Sequence, residues 1–124
     1  MKLKAFTLCA VFAFTTSSFA ADPGHAHPPQ HGGVVSEVRD VDYELVVKPS
    51  LVQLHLRAHG KALDLSKATA RLTLLTGADK QEVALKPVGD RLEAAGAFKI
   101  APGTKAVAVV TVEGKASTVR FSLK

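Results

Sequence analysis

Sulfur-containing and bulky aromatic side chains are scarce in this chain of 124 residues, which has one cysteine, one methionine and no tryptophan. Cys9 and Met1 both fall within a segment that we expect to be removed as a signal peptide. The mature chain would then have no disulfide, no cysteine nucleophile and none of the soft sulfur ligands that select Cu(I). Such a domain must be stabilised by packing of its core alone.

Motifs of the common hydrolases are missing as well. No serine stands in a nucleophile elbow, and no His-Glu-X-X-His pair occurs. The basic residues, 16 Lys and Arg against 11 Asp and Glu, are scattered singly and are not interleaved with a set of aromatic residues. They therefore form neither a phosphate-tracking stripe nor a base-stacking platform. We expect a protein that is not an enzyme and does not bind nucleic acid.

Residues 1–20 have the pattern of a secretory signal peptide. Two lysines precede an almost wholly apolar run, residues 5–14, and Ser18-Phe19-Ala20 offers small residues at the cleavage position. The apolar run is about ten residues long, whereas a helix that crosses a membrane needs about 20. We predict cleavage after Ala20, export to the periplasm and no membrane anchor in the mature protein.

From Val34 onward the apolar residues recur with a period of two, in short stretches separated by turn-forming residues. This pattern predicts an all-β fold, a single antiparallel β-sandwich of the immunoglobulin-like type with seven or eight short strands. A barrel is the alternative, and only short helix is expected outside the signal segment. The predicted domain spans residues 33–124 and follows a flexible, His- and Pro-rich leader, residues 21–32. The candidate strands lie at residues 41–48, 52–58, 69–76, 82–86, 91–94, 105–113 and 117–123.

The first hairpin has a register that its apolar residues determine. With Pro49-Ser50 at the turn, one face pairs Val47 with Val52, Leu45 with Leu54 and Tyr43 with Leu56, and a slip by one residue would turn these outward. The opposite face, which we expect to be solvated, then pairs Glu44 with His55, Asp42 with Arg57 and Asp40 with His59. Such pairs are common on protein surfaces, so they are as consistent with surface ion pairs as with a metal site.

Three of the five histidines stand in the stretch HAHPPQHGG, residues 25–33. In an extended backbone His25 and His27 point the same way and lie about 7 Å apart, so both could reach one ion. Pro28-Pro29 stiffens the chain beyond them, and Gly32-Gly33 allows a close approach to the first strand. The other interpretation is a polar export leader whose histidines bind nothing.

The sequence therefore offers two groups of candidate metal ligands. His31, Glu44 and His55 are predicted to form a folded site, with His25 and His27 as a mobile capture arm. Imidazole and carboxylate ligands without sulfur suit a divalent transition metal, and we expect copper or zinc. On this prediction, Glu44→Ala weakens metal binding more than Asp42→Ala.

The run Pro29-Gln30-His31-Gly32-Gly33-Val34-Val35, with Tyr43-Glu44-Leu45-Val46-Val47 and His59-Gly60-Lys61-Ala62-Leu63-Asp64, resembles a small periplasmic domain of heavy-metal resistance systems. That domain also forms an amino-terminal extension of the adaptor subunits of RND-type metal-efflux pumps. The resemblance covers about residues 31–123 and implies metal handling, with His31 and Glu44 as contacts. The chain lacks the coiled-coil hairpin and the other parts of an adaptor.

These observations predict a periplasmic protein that binds a divalent transition metal as a buffer, chaperone or sensor linked to metal efflux. Its expected partners are the metal ion and a metal-efflux adaptor or other envelope protein. The alternative is a metal-independent β-sandwich interaction module that docks on another envelope protein through a sheet edge or an apolar loop face.

Overall fold

The computed structural model describes residues 27 to 123, so the predicted signal peptide and His25 lie outside the described residues. Within this range the protein is all-β and contains no helix, and thus none that could cross a bilayer. It has nine strands, two more than the candidates read from the pattern: the additions are a five-residue strand and a two-residue strand. The strands are β1 (Val34–Val38), β2 (Val41–Lys48), β3 (Leu51–Ala58), β4 (Lys61–Ala62), β5 (Thr69–Thr76), β6 (Asp79–Val88), β7 (Arg91–Ala95), β8 (Lys105–Val112) and β9 (Lys115–Ser122).

Antiparallel pairing joins eight strands in one path, β1-β2-β3-β7-β6-β5-β8-β9, and β4 pairs with the end of β3. The path forms two layers because β6 belongs to both: residues 79–85 pair with β5, and residues 86–88 pair with β7. The first layer contains β1, β2, β3 and β7, and the second contains β5, β8 and β9. The end strands β1 and β9 lie side by side, so the predicted antiparallel sandwich is also nearly closed into a barrel.

The core lies between the layers and consists of the apolar residues at alternate strand positions. Leu45, Leu54, Leu72, Leu92 and Ala108 are fully buried there. Side chains of a strand alternate between its two faces, so a period of two in the sequence delivers one apolar face per strand to the core. The same alternation leaves the opposite face of each layer to the polar residues.

The structure confirms the predicted register of the β2–β3 hairpin. Val47 faces Val52, Leu45 faces Leu54 and Tyr43 faces Leu56 on the core side, while Glu44 faces His55 and Asp42 faces Arg57 on the other. The chain turns at Pro49-Ser50, between the two strands, as the apolar pattern required.

The third predicted charge pair is wrong. Asp40 and His59 stand outside the ladder, which ends at the pair Val41 and Ala58. Both residues adopt left-handed backbone conformations, with φ of 64° and 53°, which takes them out of the extended strand. They form turns, and the ladder hydrogen bonds stop one residue earlier.

The polar face of β2 and β3 is buried, contrary to the expectation that it is solvated. Asp42, Glu44, His55 and Arg57 are all at most 7% exposed, and Glu44 is completely inaccessible. We call the outward side chains of these four residues, together with Glu37 of β1, the polar face. Glu37 belongs to it because it pairs directly with Asp42.

Candidate functional site

Residues 27–33, which we call the leader segment, lie against the polar face and reach it by a turn at two glycines. Gly32 has a φ of 75°, a left-handed conformation that glycine adopts without strain. A Cβ at Gly33 would overlap the carbonyl oxygen of Leu45 and come within 2.9 Å of the Val46 side chain. The predicted close approach at Gly32-Gly33 is thus confirmed, and it brings the segment onto the sheet.

Glu44 is the attachment point of the leader segment. Its Oε1 accepts a hydrogen bond of 2.9 Å from the backbone N–H of Gln30, and its Oε2 accepts bonds of 2.7 and 3.0 Å from those of His31 and Gly33. Successive N–H groups that converge on one anion form a nest, here around a carboxylate from the same chain. The Arg57 guanidinium lies 3.6 Å from Oε1.

The hydrogen bonds determine the ionisation of Glu44. Burial alone raises the pKa of its carboxyl group, but the backbone N–H groups of Gln30, Gly33 and His31 lower it further than burial raises it. The net effect is a pKa below the ordinary value of 4.5. Glu44 is therefore an anion at neutral pH, and most of its lone pairs are already occupied by N–H donors of the protein.

The imidazole rings of His31 and His55 are stacked, with centroids 3.7 Å apart and planes inclined by 10°. Burial lowers the pKa of His55 below its ordinary value of 6.5, and the neighbouring His31 lowers it further, against the opposing effects of Glu44 and Asp90. His55 is thus unprotonated at neutral pH. Its Nε2 is buried and has no hydrogen-bond partner among the described residues.

The structure brings the predicted ligands His31, Glu44 and His55 together, but not around one point. A metal ion lies in the plane of each imidazole that binds it, about 2.0 to 2.1 Å from the nitrogen. Two parallel rings at this separation cannot both meet that condition. Joint coordination would require the His31 ring to leave the stack, and it stays a prediction.

A different group of ligand atoms converges at the other end of the leader segment. His27 Nδ1 lies 2.5 Å from Asp42 Oδ2, and Glu37 completes a set whose ligand atoms all fall within 4.8 Å of one another. We call these three residues the His27 cluster. Asp42 is buried, Glu37 is half-buried with an unpartnered buried Oε2 among the described residues, and His27 is exposed.

Charge is unbalanced beneath the leader segment. Three carboxylates, those of Glu37, Asp42 and Glu44, share the polar face with one guanidinium, that of Arg57. Carboxyl groups thus outnumber the guanidinium by two in this layer, and the basic group in contact with Asp42 is the exposed imidazole of His27. Buried carboxylates of this kind are stabilised by hydrogen bonds or by a cation.

Sequence reasoning identified His27 but missed Glu37 and Asp42. The pattern pairs Asp42 with Arg57, and it does not mark residues 34–38 as a strand because apolar and polar residues do not alternate strictly in Val34-Val35-Ser36-Glu37-Val38. The available signal was the β-branched content of this stretch, since a strand there pairs Glu37 with Asp42 across a tight turn. His25, the remaining predicted ligand, lies outside the described residues.

Comparison of the chain with protein-family models, with curated proteins and with solved structures found no match. The function is therefore inferred from the chemistry of the site.

Proposed function

We propose that this protein is an exported, periplasmic binder of a divalent transition metal ion, copper or zinc, that serves a metal-efflux or resistance system as a buffer, chaperone or sensor. The observation that carries the proposal is the His27 cluster, one imidazole and two carboxyl groups within 4.8 Å, in a layer where three carboxyl groups share one guanidinium. A divalent cation would balance the charge of the carboxylates that bind it.

The cluster needs little rearrangement to bind an ion. Ligand atoms around a tetrahedral zinc ion lie about 3.4 Å apart. The 2.5 Å contact between His27 and Asp42 would therefore open by roughly 1 Å, and the wider separations, at most 4.8 Å, would close to that value. Asp42 and Glu37 are placed by adjacent strands, and His27 comes from the leader segment. The sheet would thus hold two ligands in fixed positions, and the leader segment would bring the third ligand to them. His25, two residues before His27, is the candidate for a fourth ligand.

Glu44 and the stacked His31–His55 pair have a supporting role in this proposal. They hold the leader segment on the sheet, which places His27 beside Asp42. Glu44→Ala then weakens metal binding indirectly, and Asp42→Ala weakens it by removing a ligand. On this proposal we expect the reverse of the order predicted from the sequence, with Asp42→Ala weakening metal binding more than Glu44→Ala.

Calorimetric titration of the mature chain, residues 21–124, with Zn(II) and with Cu(II) tests the proposal. We expect one event in the micromolar range, about −8 kcal/mol. Asp42→Asn and His27→Ala should each weaken it roughly tenfold or more, which corresponds to about 1.4 kcal/mol. Glu82→Gln is the matched control, because Glu82 is an exposed carboxylate on β6, in the other layer.

Two results would contradict this assignment. Unchanged titrations in Asp42→Asn and His27→Ala, together with loss of binding in His31→Ala and His55→Ala, would transfer the site to the stacked histidines. Absence of binding by the unmodified chain at millimolar metal would instead favour the metal-independent interaction module.

A further inference from the structure

The outer face of the second layer differs in charge from the polar face. Its outward side chains include four basic residues and one acid, Glu82, which lies 3.6 Å from Lys80. The other three basic residues have no carboxylate within 4 Å among the described residues; they are Arg71, Lys105 and Arg120. We call this surface of β6, β5, β8 and β9 the basic face. The acids of the polar face lie on the other side of the sandwich.

An apolar strip crosses the middle of the basic face. Val109 is 43% exposed and lies directly opposite Arg71, while Leu75 is 38% exposed and lies opposite Lys105. Val107, between them on β8, is half-buried. Only three large apolar side chains are exposed among residues 27–123, and two of them belong to this strip.

The basic face also contains two depressions that could receive side chains of a partner. A depression of about 450 Å³ lies beside Arg71 and Val109, and a second of about 400 Å³ lies between Leu75, Val107 and Arg120. An apolar centre in depressions, with a charged rim, is the arrangement of protein–protein contact surfaces.

We infer that the basic face is a docking surface for a protein partner whose own surface is acidic around an apolar centre. Because the face is basic, charge complementarity favours a partner whose surface is negatively charged. A protein fits better than a bilayer, because the apolar strip lies among longer lysine and arginine side chains and has no aromatic residue to enter a headgroup region. The inference does not depend on metal binding, since the His27 cluster lies on the other layer.

The size of the face indicates a transient contact. Four strands about 4.8 Å apart, each contributing about seven residues, cover roughly 20 by 20 Å. Such an area falls at the low end of specific interfaces, among short-lived encounters. Its affinity should depend strongly on salt, because the rim is solvated and screening by ions is effective there. The leader segment, which lies on the other layer, would remain uncovered while the partner is bound.

Nuclear magnetic resonance titration of the mature chain in metal-free buffer tests this inference. The probe is a synthetic peptide in which a leucine-valine pair is flanked on each side by three glutamates. The comparison probes are the same peptide with lysine for glutamate, the same peptide with glycine-serine for leucine-valine, and vesicles of phosphatidylglycerol and phosphatidylethanolamine. We expect shift changes confined to the basic face, and at least fivefold weaker binding by both altered peptides.

Two variants and one control sharpen the test. Arg71→Glu with Arg120→Glu should abolish binding, and Val109→Ser should weaken it at least threefold, since all three side chains are exposed and contribute little to folding. Lys48→Glu with Lys99→Glu makes the same change in charge at exposed positions elsewhere and should have no effect. Circular dichroism and thermal unfolding verify that each variant is folded.

Four outcomes would overturn the inference. They are no binding at millimolar peptide, shifts spread over lysines of the whole surface, equal losses in the control variant, and binding to the vesicles without binding to the acidic peptide. The last would identify a membrane surface as the occupant.

Discussion

Replacing Glu44 with glutamine removes the negative charge to which the leader segment is attached, with almost no change in side-chain size. The amide oxygen can still accept from the N–H groups of His31 and Gly33. The amide NH₂ must then face the N–H of Gln30, which is a donor opposite a donor. Arg57, 3.6 Å away, also loses its nearest carboxylate.

The expected loss in the free energy of leader attachment follows from these contacts. Hydrogen bonds to a charged group contribute about 1.5 to 3 kcal/mol each, and those to a neutral group about half as much. One bond is lost and two are weakened to about half, so attachment of the leader segment should weaken by about 3 to 6 kcal/mol. That range corresponds to at least about 100-fold in the docking equilibrium.

Amide hydrogen exchange at neutral pH measures the effect directly. The N–H groups of His31 and Gly33 should exchange at least about 100 times faster in Glu44→Gln, while amides in β5 and β8 keep their protection. Glu82→Gln again serves as control, because the exposed ion pair with Lys80 contributes at most about 1 kcal/mol. Unchanged exchange at both leader amides in Glu44→Gln would refute the assignment of Glu44 as the attachment point.

Three further predictions concern the same fold. Gly33→Ala should lower the free energy of unfolding by about 1 to 3 kcal/mol in urea titration, because its Cβ would overlap Leu45; a stability equal to that of the unmodified protein would contradict the close approach. Leu54→Ala should cost about 2 to 5 kcal/mol by the same assay, since Leu54 is fully buried between the layers, and a loss below 1 kcal/mol would contradict its place in the core. The metal-free protein should lose stability as the pH falls below 6.5 and again below 4.5, because the pKa values of His55 and Glu44 are lowered in the folded state and the unfolded chain binds more protons. Thermal unfolding between pH 8 and about pH 2 checks this, and His55→Gln should flatten the first decline; a melting temperature independent of pH would be inconsistent with both shifts.

The two strands of the first hairpin and their register were predictable because they depend on the local alternation of apolar residues. Alternation over eight residues leaves only one register that buries both apolar sets, and Pro49-Ser50 fixes where the chain turns. The pattern does not specify how the layers join. The strand β6 pairs with one neighbour along most of its length and with another at its end, and that change of partner has no local sequence signature.

The candidate site was predictable only in part, because its burial depends on a segment remote in sequence. Nothing in Asp42, Glu44, His55 and Arg57 distinguishes a solvated face from a covered one. The covering depends on the turn at Gly32-Gly33 and on three backbone N–H groups, which are present in every sequence and so give no signal. The stacking of His31 on His55 follows from that covering.

Backbone N–H groups donate the hydrogen bonds that anchor the leader segment to Glu44, so these bonds do not depend on which side chains the segment carries. The side chain at position 30 can be exchanged for any residue other than proline, and the amide donor remains in place. At position 31 the same exchange removes the stacking on His55 but leaves the amide donor. Position 33 has no such freedom. In the proposed metal site, the ligand that the leader segment supplies, His27, can therefore be replaced to change metal selectivity while the backbone hydrogen bonds to Glu44 remain.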